Sequence, residues 1–145
     1  MASVSNLTLA IQVVNNGPNL DANIEVEYDI VFNSYDQSSN QPYTELCRLL
    51  GDDTGIVPAE DGVDDLIPGG QLFPPPIILP PFNQVASNGQ ATVHRTRNRT
   101  LPLSALNEDQ GAVPNPDELR AQVILTPVQP AAVSRQSNLV TLNIP

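Results

Sequence analysis

NIEVEYDIVF, Asn23 to Phe32, decides the fold. Ile24, Val26, Tyr28, Ile30 and Phe32 fall in one phase and Glu25, Glu27 and Asp29 in the other. Side chains of an extended chain alternate between two faces, so this run is a strand with one buried and one solvated face. Upstream, LTLAIQVV at Leu7 to Val14 repeats the pattern with Leu7, Leu9, Ile11 and Val13. Between the two lies NNGPN, Asn15 to Asn19, a turn in which Asn and Gly tolerate positive φ and Pro fixes its own.

Downstream, PYTELCRLLG at Pro42 to Gly51 reads as a third strand, although Leu46, Leu49 and Leu50 also suit a short helix. SNG at Ser87 to Gly89 is another turn. It leads into QATVHRTRNRTLPL, Gln90 to Leu103, and two further strands follow at Leu119–Pro127 and Ser137–Pro145. Ser104 to Glu108 suits one helical turn. The interval 51–89 is a long connection, first acidic and then proline-rich, where Pro74, Pro75, Pro76, Pro80 and Pro81 prevent regular ladder pairing. An extended connection with Ile77, Ile78 and Leu79 packed on the core is favoured there over a polyproline ligand, since no flanking basic residue accompanies the prolines.

With 145 residues the chain fits one domain, 1–145, and its 15 prolines and 8 glycines interrupt it too often for long helices. About seven strands with Pro-, Gly- and Asp-rich loops predict an all-β, two-sheet antiparallel β-sandwich. The general look is that of immunoglobulin-like modules, without the Cys and Trp spacing of true immunoglobulin domains: there is one Cys and no Trp. Cys47 therefore has no internal disulfide partner and reads as a small buried hydrophobe.

The net charge of −10, from 16 acids against 6 arginines with no lysine, argues against a nucleic-acid or anionic-membrane partner. No signal peptide and no membrane-spanning run is visible, so a soluble protein is expected, its compartment open. His94 is the sole histidine, which excludes a multi-histidine metal site, and no nucleophile elbow is present.

Two charge patterns stand out. Arg95, Arg97 and Arg99 recur at every second residue, in phase with Val93 and Leu101. They are read as cross-strand ion-pair partners of Glu25, Glu27 and Asp29, or as a basic strip for an anionic partner, on a strand that suits a sheet edge. GDDTGIVPAEDGVDDLIPGG, Gly51 to Gly70, holds Asp52, Asp53, Asp61, Asp64 and Asp65 as candidate calcium ligands. The EF-hand and glycine-rich calcium patterns are missing, and a solvated acidic loop is the competing reading. The sequons at Asn6 and Asn98 are read as accidental.

These features predict a non-catalytic structural or protein-interaction module, self-associating or joined to a protein partner, with no cofactor. A calcium-binding recognition domain is the alternative, and a carboxylate-based hydrolase a remote one, because 4% aromatic residues leave few sugar-stacking surfaces.

Overall fold

The structure, a computed structural model, describes residues 1–51, 65–66, 78–79, 83–106, 116–128 and 133–145. It is all-β, with two antiparallel sheets. The elements in order are β1 (Ser3–Asn16), β2 (Asn19–Val31), helix α1 (Ser34–Ser39), β3 (Tyr43–Gly51), β4 (Asp65–Leu66), β5 (Asn83–Val85), β6 (Thr92–Pro102), a 3-10 turn (Leu103–Leu106), β7 (Pro116–Pro127) and β8 (Val133–Asn143). One sheet has the order β1-β2-β6. The other has the order β4-β3-β7-β8, with β5 also paired to β3.

The β1–β2 hairpin closes at Asn16↔Asn19 around Gly17 and Pro18. Gly17 takes φ 67°, the left-handed value needed at the first position of this kind of two-residue turn, and Pro18 supplies the second. Along β2 the alternation read from sequence is realised: Ile24, Val26, Tyr28, Ile30 and Phe32 are buried. In β1 the apolar phase breaks. Val4 is buried on one phase and Leu9 on the other, because Asn6 and Leu7 bulge out of register between the pairs Ser5↔Asp29 and Thr8↔Glu27. Asn6, at φ 52°, makes the kink. That break is why the sequence alone starts the strand late.

The segment Pro42–Gly51 holds the strand β3, Tyr43–Gly51, buried at Tyr43, Glu45, Cys47 and Leu49. Its central position, paired with β7 on one side and with β4 and β5 on the other, sets that outcome over the short helix. Of the proline-rich stretch only Ile78 and Leu79 lie within the described residues. Leu79 is fully buried and donates its backbone N–H to the Cys47 carbonyl at 2.9 Å, whereas Ile78 is exposed. Helix α1 is unforeseen in sequence. Asn33 caps it, its side chain accepting from the Asp36 N–H at 2.8 Å, while its own N–H donates to the Asp36 carboxylate at 3.3 Å.

Inner faces of both sheets feed one cluster, with Leu9, Ile24, Val26, Tyr28 and Ile30 from the first and Leu49, Leu119, Val123 and Leu125 from the second. Where the sheets meet laterally, β8 carries a bulge at Ser137 and Asn138, opposite Ala121 of β7. Ser137 Oγ takes over the Ala121 N–H at 2.5 Å. Asn138 is thereby turned toward β1.

Candidate functional site

The charged strand β6 is where the structure departs most from the sequence reading. Its register with β2 places Arg95 opposite Tyr28, Arg97 opposite Val26 and Arg99 opposite Ile24. The arginines therefore share the inner face with the apolar residues of β2. Glu25, Glu27 and Asp29 lie on the outer face, opposite Asn98, Thr96 and His94. The two charge rows occupy neighbouring strands but opposite faces, so the expected cross-strand ion pairs do not form. Val93 and Leu101, in phase with the arginines and packed against the core, were the signal for this.

The counter-charge comes from the other sheet. Glu45, in the middle of β3 and 1% exposed, faces β2 and β6 across the interior. Its Oε1 accepts from the Tyr28 hydroxyl at 2.5 Å and from Arg97 Nη2, and its Oε2 accepts from Arg95 Nε at 3.2 Å. Arg97, 6% exposed, also donates from Nε to the Tyr28 oxygen at 3.3 Å. Sequence reasoning missed both Glu45 and Tyr28 as polar participants. Glu45 sits in phase with Tyr43, Cys47 and Leu49, and that placement was its only sequence sign.

Burial drives the Tyr28 phenol well above its ordinary range, and the neighbouring Glu45 carboxylate pushes it further, which favours the neutral phenol that donates to Glu45. For Arg97 burial works against the charged form, but hydrogen bonds with Tyr28 and Glu45 and the Glu45 charge leave its pKa raised. Cys47, next in phase along β3, is pushed up to about 12, chiefly by burial. A thiol held there is not a nucleophile.

A second polar cluster pins one end of the molecule. Asp36 of α1, 1% exposed, accepts from the Tyr43 hydroxyl at 2.6 Å, and that oxygen in turn accepts from the Ala2 N–H at 3.0 Å. Ser87 donates to the Asp36 carbonyl at 3.1 Å. Burial, followed by the Asp36 contact, raises the Tyr43 phenol. On the outer face of the first sheet, Asp29 accepts from Asn6 Nδ2 at 2.8 Å and pairs with His94 Nδ1 at 2.7 Å. The Asn6 hydrogen bond and then the His94 contact hold its carboxyl below the usual value.

Arg99, the third of the row, is exposed and donates from Nη1 to the Ile78 carbonyl at 2.9 Å. So the three arginines differ: Arg97 is enclosed, Arg95 is partly accessible beside Glu45, and Arg99 lies outermost. Of the candidate calcium ligands, Asp52, Asp53, Asp61 and Asp64 lie outside the described residues, and Asp65 is described only as a backbone position of β4. Among the described residues no group of His, Cys, Asp or Glu is arranged to hold a metal ion, and no helix is long and apolar enough to cross a membrane.

Two open surface depressions lie away from the buried cluster. One, about 470 Å³, sits on the outer face of the first sheet over Ala10, between Gln12, Glu25 and Asn98. The other, about 490 Å³, lies between the β1–β2 turn and Ile144. Neither is lined by Tyr28, Glu45, Arg95 or Arg97. Comparison of the chain with protein-family models, with curated proteins and with solved structures found no match.

Proposed function

We propose that the chain is a single-domain β-sandwich, immunoglobulin-like in general appearance, that works without catalysis as a structural or protein-interaction module, and that it serves as a subunit of a larger assembly. The observation that carries this reading is the Glu45 carboxylate. Its side chain is 0% exposed and both its oxygens are engaged by Tyr28, Arg95 and Arg97. A general acid or base must reach a substrate proton. This carboxylate reaches only its own chain, and the charge gathered in the interior joins one sheet to the other.

Among the described residues, Glu25, Glu27 and Asp29 stand along the outer face of β2 and Arg99 is exposed on the edge strand β6, a layout suited to contact with another protein surface. Static light scattering over a concentration series tests the reading. A mass that rises above the monomer with concentration, and rises less in high salt, is expected for self-assembly through charged surfaces. A strict monomer at high concentration would remove self-assembly and leave only a foreign partner.

A further inference from the structure

The backbone phase of β6 can be read from one hydrogen bond. Phe32 N–H donates to the Ala91 carbonyl at 2.9 Å, so this pair, and every second pair after it in the same register, is of the hydrogen-bonded type. Val93, Arg95, Arg97 and Arg99 thus direct their N–H and C=O groups toward β2, opposite Ile30, Tyr28, Val26 and Ile24. The N–H and C=O groups of His94, Thr96, Asn98 and Thr100 point the other way, off the edge of the sheet. Among the described residues no strand pairs with β6 on that side.

We propose that this edge of β6 is a strand-docking edge, taking an extended segment of a protein partner that carries Asp or Glu at alternate positions. The proposal deepens the interaction-module reading and rests on it. A strand added there bonds to the backbones of Thr96 and Asn98 and their neighbours, and its inward-phase residues fall beside Arg95, Arg97 and Arg99 in non-hydrogen-bonded pairs, where side chains lie closest.

Among the described residues the charge at those positions is unbalanced: three guanidinium groups stand against one carboxylate, Glu45, and Arg99 has the Ile78 carbonyl rather than an anion as its partner. An incoming carboxylate beside Arg99 or Arg95 corrects the imbalance. A second copy of β6 would set arginine against arginine, and a basic segment would meet the same repulsion. The outer-phase side chains, Thr96, Asn98 and Thr100, are uncharged and accept a polar or β-branched neighbour.

The test uses the full chain, isotopically labelled, with a synthetic peptide alternating glutamate with threonine as the probe. Controls are a peptide of the same composition with its glutamates in one block, and a lysine–threonine counterpart. Binding should slow hydrogen exchange of the His94, Thr96, Asn98 and Thr100 amides by about tenfold or more while leaving Val93, Arg95 and Arg97 unchanged, that alternation being the signature of an added strand.

Thr96→Pro deletes an outward N–H without touching the β2 ladder and should abolish binding. Arg99→Glu, at an exposed position, should abolish binding of the glutamate peptide and admit the lysine one. No binding, equal binding of the blocked peptide, or protection confined to other strands would each overturn the proposal. A dimer that dissociates in Thr96→Pro would give the edge to a second copy and overturn it as well. Failure of the glutamate peptide to bind, together with self-association that survives Thr96→Pro, would overturn the docking edge alone and leave the wider module reading standing.

Discussion

Asn138 of β8 holds Leu9 of β1 by both halves of its side-chain amide: Oδ1 accepts from the Leu9 N–H at 2.7 Å, and Nδ2 donates to the Leu9 carbonyl at 3.2 Å. A side chain here replaces a strand partner, satisfying one residue's worth of backbone at the margin between the two sheets. The bulge in β8 makes this possible by turning Asn138 out of its own ladder. Asn138→Ala should lower stability by about 1–2 kcal/mol, the net worth of two hydrogen bonds with the exposed backbone groups rehydrated. Denaturant titration checks the magnitude, and faster amide exchange at Leu9 checks the cause.

The Glu45 cluster predicts a strongly non-additive pair of substitutions. Glu45→Gln leaves Arg97 buried with no anion, and removing one partner of a buried ion pair costs about 3–5 kcal/mol. Glu45→Leu combined with Arg97→Leu removes both charges, leaves Arg95 with access to water, and should cost much less than the sum of the two single leucine changes. Equilibrium unfolding of the set gives the coupling. Additive losses would show that Arg97 is solvated rather than held by Glu45.

Cys47 should be silent to thiol reagents in the folded protein. Burial raises its pKa to about 12, so the thiolate is scarce at neutral pH, and the thiol itself is 2% exposed. Labelling with an aromatic disulfide at pH 8 should therefore track unfolding, with full reaction in denaturant and close to none without it.

Asp29 gives the acid limb of the stability profile a defined contributor. Its folded-state pKa lies below the ordinary 3.8. A depressed carboxyl contributes stability that is present above the unfolded value and is lost as pH falls through the folded one. Asp29→Asn should lower stability on the neutral side, leave it nearly unchanged below the folded-state value, and so flatten the profile across that acid window. Carboxyl-carbon NMR titration locates the folded value, and an unshifted Asp29 would remove the effect.

How far the sequence carries the fold is clearest on β2 and β6. On β2 charge and hydrophobicity alternate cleanly, so Ile24 to Phe32 announce both the strand and its buried face. On β6 the same rule misleads when charge is equated with solvent. Arg95 and Arg97 turn inward because Glu45, 50 and 52 residues away in sequence, supplies their anion, and a pattern read along one strand cannot show a partner on another sheet. Asn138 and Asn6 were illegible for a different reason. Each acts through a bulge, and a bulge is a slip of register between two strands rather than a property of either. Asp36 had a fainter sign, since Asn33 stands three residues ahead of it as a helix cap, but an aspartate there is a weaker marker than a glutamate.

The clasp between Leu9 and Asn138 spans 129 residues, and it joins the first strand of the chain to the last. Closing a loop of that span costs chain entropy before any contact repays it, so the clasp is expected to form late in folding rather than in the nucleus. Asn138→Ala should then hasten unfolding and leave the refolding rate nearly untouched, a split that the two limbs of a chevron plot would display. Such a split would make the margin between β1 and β8 the seam of the molecule, closing late, opening early and setting the lifetime of the native state.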